Sequence, residues 1–343
     1  MAEPRDDRLV REVRASQFRR RLANGVEVVP RVGRFYPRNM VADLEGFFSA
    51  DRRPLRCLAN DGDVLRVDLN HPLSAQPIDL EICLGENLPG KEERGGQVND
   101  VAHELSTAGP GMQADLSDLE TDFFGGDPFA RLDPRPDTQF YQSPRNIQHL
   151  DRCARERITG IYRRFLRPGM HVLDIMSSCT SHLAIEHDSV FDAEVTGIGL
   201  NLAELESNPA LSRRLVHDLN VNSTLPLPDH LFDAAVCTAS IEYLIQPREV
   251  LRDVLRTLKP GAPLVVTFSD RWFPTKVIAI WEELHPFERL ALVSNYLRFA
   301  GFKAIGTESI RGLPRPGDDQ YADKLAFADP VFVVWGNKMA ESS

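Results

Sequence analysis

One stretch of the chain, from His171 to Leu183, combines residue types that suit ligand binding. It starts as a short apolar strand with Asp174 near its carboxyl end, and small polar residues follow. Ser181 is suited to cap a helix that would start at His182. In an open α/β sheet, ligands bind beyond the carboxyl ends of the strands, beside helix N-termini that expose unpaired N–H groups. The stretch therefore predicts a ligand site, although a plain strand-to-helix turn in such a sheet would show the same pattern.

Length and composition bound the function classes. The chain has 343 residues, which fits two domains, and it is 42% hydrophobic and 26% charged, as in globular proteins. Its net charge of -10 argues against nucleic acid as an obligatory partner, and no apolar run is long enough for a membrane span. The cysteines are odd in number, far apart and not at metal-binding spacing: Cys57, Cys83, Cys153, Cys179 and Cys237. Without a secretory signal, they predict free thiols in the cytoplasm and no metal site.

The first 87 residues predict a small, mainly β module. Residues 6–21 are expected to form a helix with Leu9, Val10, Val13 and Phe18 on its apolar face. After it, four segments alternate or run apolar between turn residues and predict antiparallel strands: Val26–Val32, Leu55–Leu58, Val64–Leu69 and Ile78–Leu84.

Part of this module carries a specific resemblance. The run from Val67 through Asn70, His71 and Pro72 to Leu73, followed by Leu80–Ile82, resembles the C-terminal strands of SlyD-type FKBP prolyl isomerases. The resemblance covers residues 25–86, the second half of such a domain, without its first strands or its flap. Half a barrel cannot supply a complete prolyl pocket, so we expect a β module without isomerase activity, with His71 as a turn residue.

Residues 88–138 are rich in Gly, Pro and acids, and predict a linker or lid with a short helix at Val101–Leu105. From residue 139 onwards, strand and helix patterns alternate, which predicts a mostly parallel sheet with helices on both faces. Its predicted strands are Val172–Ile175, Glu194–Ile198, Ala234–Thr238, Pro263–Phe268, Phe302–Ile310 and Val331–Trp335, the last two as an antiparallel hairpin. One predicted helix follows the lead-in segment Tyr141–Arg145 and runs through Ile147 to Phe165. The others cover Glu249–Leu258 and Phe287–Ala300.

Three motifs in this part resemble class I S-adenosylmethionine (SAM) methyltransferases of the type 11 group. They are the acid-and-turn motif from Asp174, the segment Leu225–Asp233 with its following strand, and Leu255–Leu264, which contains Lys259-Pro260-Gly261. The resemblance spans residues 140–337 and implies a Rossmann-like sheet of strand order 3-2-1-4-5-7-6 with SAM at the 1/4 switch point. One departure is that Met176, Ser177, Ser178 and Thr180 replace the turn residues of the family, three of them glycines. A dinucleotide-binding sheet is the alternative, but its G-x-G-x-x-G motif is absent.

The resemblance implies a role for residues along the strand ends. Asp174 would fix the turn and the amino group of SAM, and the hydroxyls of Ser177, Ser178 and Thr180 would bind its carboxylate. Gly199 stands where an acid usually holds the ribose, so Asn201, Glu204 or water must replace that acid. Asp218 and Leu219 would bind the adenine, and Tyr141, Arg145 and His149 would form a lid. The full expected set of cofactor contacts is Tyr141, Arg145, Asp174, Met176, Ser177, Ser178, Gly199, Asn201, Asp218, Leu219 and Ala239.

Methyl transfer needs alignment, desolvation and a base where the acceptor must lose a proton. Glu242 and Tyr243 are the predicted catalytic residues, because they follow the fourth strand. Arg271 and Lys276, in the loop after the fifth strand, are predicted to bind a substrate carboxylate, unless that loop is only a solvated surface. The predicted function is SAM-dependent methyl transfer to a small molecule, and a homodimer is compatible with the sequence. The alternative is a SAM-binding or cofactor-free scaffold. The acceptor atom is left open.

Overall fold

The computed structural model describes residues 6–19, 28–44, 51, 53–71, 74, 121–183 and 193–340. The chain divides into two compact units, one of residues 1–125 with 284–288 and one of residues 126–283 with 289–343. Three predicted elements lie outside the described residues: the strand at Ile78–Leu84, the helix at Val101–Leu105 and the helix after Ser181. The stretches at 72–73 and 80–82 that carry the FKBP resemblance lie outside them too, so that resemblance stays a prediction.

The first unit contains a four-stranded antiparallel sheet. In chain order its strands are β1 (Val10–Arg14), β2 (Phe35–Pro37), β3 (Pro54–Asn60) and β4 (Val64–Asp68), and they pair in the order β1-β4-β3-β2. One face is buried, with Val13, Tyr36, Leu55 and Val67 in its core.

The helix predicted over residues 6–21 is wrong. In the described part of that span, residues 6–19, two short 3₁₀ turns occur at Asp7–Leu9 and Ala15–Gln17, and β1 lies between them. Along β1, Val13 is buried while Arg11 and Glu12 are exposed. Pairing with β4 satisfies the backbone of this segment, and a tertiary contact of this kind overrides a weak helical pattern.

The second unit is a Rossmann-like α/β domain. Its strands are β5 (His171–Ile175), β6 (Glu194–Gly199), β7 (Arg213–Val216), β8 (Ala234–Thr238), β9 (Pro263–Phe268), β10 (Lys303–Ile310) and β11 (Val331–Asn337). They pair in the order β10-β11-β9-β8-β5-β6-β7, parallel except that β11 runs antiparallel to both β9 and β10. Counted from β5 as the first strand, this is the expected order 3-2-1-4-5-7-6. The sequence pattern had not given the bounds of β7.

The helices of this domain cover the sheet. They are α1 (Asp137–Phe140), α2 (Arg152–Phe165), α3 (Leu202–Ser207), α4 (Pro247–Thr257), α5 (Ala279–Glu283) and α6 (Pro286–Ala300). Apolar residues three and four apart place one face of α2 in the core, including Ile158, Ile161 and Tyr162. The central strands are buried on both sides, as expected for a parallel sheet with helices on its two faces.

Helix α2 starts at Arg152, about five residues later than the sequence pattern predicted. Asp151 caps it, since its carboxylate accepts the N–H of Ala154 at 2.9 Å. Residues 141–151 are consequently not helical, and they pass along the edge of the sheet where the strands β5, β6 and β8 end.

Residues 126–138, predicted as the end of a linker or lid, belong to the second unit. The N–H of Asp133 donates to the Thr275 carbonyl at 2.8 Å, and the N–H of Ala279 donates to the Ala130 carbonyl at 2.8 Å. No helix within the described part of the chain is long and apolar enough to cross a membrane. The four cysteines in the described ranges are free thiols.

Candidate functional site

A cavity lies at the carboxyl ends of the parallel strands in the second unit. The empty space between its walls is about 1240 Å³, including the open mouth. The turns after β5, β6, β7 and β8 line it, together with residues 141–150 and Phe273. All eleven predicted cofactor contacts line this cavity, although contact with a cofactor stays a prediction. This clustering follows from the sheet, because parallel strands end at one edge.

The turn after β5 keeps the backbone shape that glycine would allow. Met176 has a φ of 56°, in the left-handed region, and Ala239, at the end of the neighbouring β8, has a φ of 44°. A non-glycine residue in this region carries strain. The N–H of Ser177 donates to the Ile198 carbonyl at 2.7 Å, which fixes the turn against β6.

Gly199 has a packing role that the sequence did not indicate. A Cβ added there would lie 2.3 Å from the carbonyl oxygen of Ser177, which is far below van der Waals contact. Only glycine therefore lets the turn after β5 approach the end of β6 so closely. An acidic side chain at this position would prevent that close approach, so position 199 cannot supply an acid for the ribose.

Asp174 is fully buried and receives two hydroxyl groups. Ser177 Oγ and Ser181 Oγ both donate to Asp174 Oδ2, each at 2.6 Å. Burial raises the pKa of Asp174 to about 6, although the two hydrogen bonds favour the ionised form.

The serine hydroxyls are therefore not free for a ligand carboxylate, contrary to expectation. Ser178 Oγ likewise donates to Glu204 Oε2 at 2.6 Å. Thr180 Oγ1 accepts from Gln148 Nε2 at 2.7 Å and donates to Cys179 Sγ at 3.9 Å. What the turn still offers is backbone: among the described residues, none accepts the N–H groups of residues 178–180. Such N–H groups at the end of a strand suit an anion.

Beyond the end of β6, Glu204 of α3 brings a carboxylate to the cavity, whereas Asn201 is used as a helix cap. Asn201 caps α3 by accepting the N–H of Glu204 at 3.2 Å, and its amide donates to the Tyr141 carbonyl at 2.8 Å. Glu204 is nearly buried, and its Oε1 accepts the N–H of Arg145 at 2.7 Å while Oε2 accepts from Ser178. Glu204 therefore lines the cavity as a fixed carboxylate whose remaining lone pairs can accept further hydrogen bonds.

The loop after β7 offers an acceptor beside a donor. Asp218 Oδ1 accepts the N–H of Asn220 at 2.9 Å, and no described residue bonds to Asp218 Oδ2 or to the N–H of Leu219. Asn220 was missed by sequence reasoning. Its amide donates to Asp137 at 2.8 Å and to the Tyr243 carbonyl at 2.9 Å, and so fixes this side of the cavity. Its place two residues after Asp218 was the available signal. Asp137 gave none, because it lies in the predicted linker.

Aromatic rings form another part of the cavity wall. The ring of Phe273 lies 5.1 Å from His149, 6.0 Å from Tyr243 and 6.4 Å from Tyr141 between centroids. The guanidinium of Arg145 stacks 4.9 Å from the same Phe273 ring. Tyr243 Oη accepts the N–H of Phe273 at 2.9 Å, and burial raises the pKa of Tyr243 well above its usual value. Tyr243 is therefore a wall residue with a protonated hydroxyl, and not a base.

Glu242, the other predicted catalytic residue, does not line the cavity. It is buried in the 3₁₀ turn Ile241–Tyr243, and its carboxylate oxygens have no hydrogen-bond partner in the described part of the chain. Burial raises its pKa to about 8, so it is mainly protonated at neutral pH. This placement corrects its assignment as a base that touches substrate.

Arg271 and Lys276 lie outside the cavity as well, which corrects their assignment to a substrate carboxylate. Arg271 Nε donates to Asp329 Oδ1 at 3.0 Å. Lys276 Nζ is buried, donates to the Arg135 carbonyl at 2.7 Å and lies 3.2 Å from Asp137 Oδ1. Both cations therefore bind acceptors within the chain.

Comparison with known proteins gives one matching family, described as a methyltransferase domain, over residues 176–266. An O-methyltransferase from Pyrenophora dematioidea is 27% identical over 235 residues, which cover 64% of this chain and 84% of that protein. The ubiquinone/menaquinone biosynthesis C-methyltransferase UbiE from Laribacter hongkongensis (strain HLHK9) is 27% identical over 168 residues, 47% of this chain and 66% of that protein. Among solved structures, the [4+2]-cyclase SpnF has a TM-score of 0.44 at 20% identity, covering 63% of this chain and all of its own.

Proposed function

We propose that this chain, a SAM-dependent methyltransferase, transfers the methyl group to a hydroxyl oxygen of a small acceptor molecule. The observation that carries the proposal is the cavity, which brings polar groups for a cofactor to one wall and aromatic rings to the other. The choice of oxygen is supported by the Pyrenophora relative, an O-methyltransferase of which the chain covers 84%.

The residues of the cavity fit SAM from end to end. The N–H groups of residues 178–180 would bind its carboxylate, and ionised Asp174 would attract its ammonium group through the turn. Glu204 would accept hydrogen bonds from the ribose hydroxyls, since Asn201 is committed to capping α3. Asp218 and the N–H of Leu219 offer the acceptor and donor that an adenine edge requires. When bound, SAM supplies a methyl group that its sulfonium already activates.

The protein then has to align the acceptor and exclude water. Methyl transfer is an in-line displacement, so most of the rate enhancement comes from holding the two reacting atoms in contact. The rings of Tyr243 and Phe273 form an apolar wall beside the polar turn. Aromatic faces also attract a cation, which favours a sulfonium on this side of the cavity.

A carboxylate-bearing acceptor has less support. Arg271 and Lys276, on which that preference rested, are bound to Asp329 and Asp137. Arg145 does line the cavity, but its guanidinium lies 4.1 Å from the Phe140 ring and 4.9 Å from the Phe273 ring. We therefore propose a neutral hydroxyl compound.

Calorimetry with S-adenosylhomocysteine, the demethylated product of SAM, tests the cofactor part. Asp218→Ala should weaken binding by about tenfold or more, the loss of one or two hydrogen bonds. Asp229→Ala is the matched control, because Asp229 lies outside the cavity in an exposed pair with Arg256. Equal dissociation constants for the two variants would contradict the adenine assignment.

A methyl-acceptor panel tests the choice of oxygen. Purified protein is incubated with SAM carrying a labelled methyl group and with phenol, 4-nitrophenol, aniline or thiophenol. Label in the hydroxyl compounds supports the proposal, and label only in the aniline or thiophenol product contradicts it.

For the first unit we propose a β module without prolyl isomerase activity. Its described sheet supports a small antiparallel module, and Asn70 donates locally, to the Asp68 carboxylate at 2.7 Å. Catalysis of prolyl isomerisation in a test peptide by the full chain would contradict this.

A further inference from the structure

We infer that His149 is the general base that takes the proton from the acceptor hydroxyl. This inference rests on the proposed O-methyl transfer and adds to it the group that makes the hydroxyl a nucleophile. Three observations support it: the position of His149 in the cavity, the imidazole nitrogens that no described residue bonds, and the hydrogen bonds that already occupy the other acids and histidines of the cavity.

His149 lies where the two walls of the cavity meet. It lines the cavity within the non-helical segment that precedes α2, and its ring packs edge-on against Phe273, at 5.1 Å and 84°. Phe273 lies in the loop after β9, and Gln148, the residue before His149, donates to Thr180 Oγ1 in the turn after β5 at 2.7 Å. Within the described ranges, nothing forms a hydrogen bond with the imidazole nitrogens of His149. At least one nitrogen is therefore available to a ligand.

The carboxylates of the cavity are less suited to this role, because other groups already hold them. Asp174 and Glu204 accept serine hydroxyls, and Asp137 pairs with Arg131 at 2.8 Å. Asp218 accepts the N–H of Asn220 in the loop after β7. An ionised carboxylate that accepts such bonds is a weaker base than a free imidazole.

The other two histidines of the cavity differ from His149. His217 Nε2 lies 2.8 Å from the Asn222 carbonyl, so that nitrogen is occupied. His182 belongs to the turn after β5, and burial together with Arg155 lowers its pKa to about 4, which makes it a poor base.

His149 is neutral at physiological pH. Although the residue as a whole is exposed, desolvation of its ring lowers the pKa of His149, Arg145 in its own segment lowers it further, and Glu204 of α3 acts in the opposite direction. A neutral imidazole can accept a proton and release it again.

The proton and electron balance is simple. The acceptor O–H bond breaks, and its proton passes to the free nitrogen of His149. The oxygen electron pair forms the new C–O bond while the C–S bond breaks, and the sulfur keeps that pair as a neutral thioether. The imidazolium then loses its proton to water through the mouth of the cavity.

The test compares acceptors that do and do not need a base. With phenol, whose hydroxyl ionises near pH ~10, His149→Gln should lower kcat by about 10²–10⁴-fold. With 4-nitrophenol, which is largely ionised at mildly alkaline pH, the same variant should lose much less. The affinity for S-adenosylhomocysteine should stay within about twofold of the wild-type value, because the altered group faces the acceptor. His230→Gln is the matched control, since His230 is exposed and outside the cavity.

Two results would overturn the inference on its own: equal phenol kcat in His149→Gln and wild type, or equal losses with phenol and 4-nitrophenol. Nuclear magnetic resonance gives a readout that needs no turnover. In the S-adenosylhomocysteine complex, a hydroxyl compound should shift the ring signals of His149, and no shift with either phenol would also overturn it. If wild type methylates only aniline or thiophenol, the proposed hydroxyl function fails, which is a distinct outcome.

Discussion

Replacing Asp174 by asparagine separates the effect of its hydrogen bonds from the effect of its ionisation. In the wild-type chain, Asp174 is buried and accepts the hydroxyls of Ser177 and Ser181 at 2.6 Å. An asparagine oxygen can accept the same two hydroxyls, so the turn should keep its shape. The variant removes the ionisation and places an amide N–H₂ group where the second carboxylate oxygen was.

The magnitude follows from the pKa of Asp174, which burial raises from 3.8 to about 6 in the folded protein. A raised folded-state pKa means that the stabilising contribution is present below about pH 4 and is lost as pH rises through 6. At about 1.4 kcal/mol per pKa unit, the loss is about 3 kcal/mol. Asp174→Asn should not lose it.

The assay is urea unfolding without ligand at a series of pH values. The unfolding free energy of Asp174→Asn minus that of wild type should rise by about 3 kcal/mol between pH ~4 and pH ~7. Taking this difference cancels the other titrating groups. Ser177→Ala is the informative companion, because it removes a hydrogen bond that lowers the pKa and should enlarge the pH dependence of the Asp174 contribution. A difference that is flat with pH would refute the reasoning.

Three further predictions follow from the same region. Gly199→Ala forces a Cβ to within 2.3 Å of the Ser177 carbonyl, so thermal melts should show that the domain is destabilised by about 1–3 kcal/mol. The variant should also bind S-adenosylhomocysteine more weakly. An unchanged melting temperature would argue against the close approach. Met176→Gly removes left-handed backbone strain, so its unfolding free energy should stay within about 1 kcal/mol of the wild-type value and ligand binding should be retained. Loss of binding in calorimetry would show that the Met176 side chain itself contacts the ligand. Glu242→Gln should keep kcat. Because burial raises the pKa of Glu242 from 4.5 to about 8, urea unfolding should show a stability gain over wild type that grows as pH rises from about 4.5 to about 8 and stays constant above that range. A large fall in kcat would restore a catalytic role.

The sequence by itself determined the sheet and one edge of the site. Apolar runs separated by turn residues predicted five of the second unit's strands within one residue at each end, and the sixth within two. Because the carboxyl ends of parallel strands lie at the same edge, the positions of Asp174 and Ala239 at the ends of predicted strands were enough to place them in one cavity. Asp218 was placed there only by the resemblance to methyltransferases, since the bounds of β7 were not predicted. Local periodicity and strand direction carry this information, and both are properties of short segments.

The tertiary structure alone decided which side chain serves which partner. Ser178 bonds to Glu204, 26 residues away, and Lys276 bonds to the carbonyl of Arg135, 141 residues away, in a segment with the composition of a linker. Pairing of β1 with β4 likewise overrode a helical pattern. The physical reason is that buried charges and backbone groups must find partners, and the folded chain supplies them from distant segments. Residue types show which groups need a partner, and the packing of the sheet and its turns determines where each group finds one.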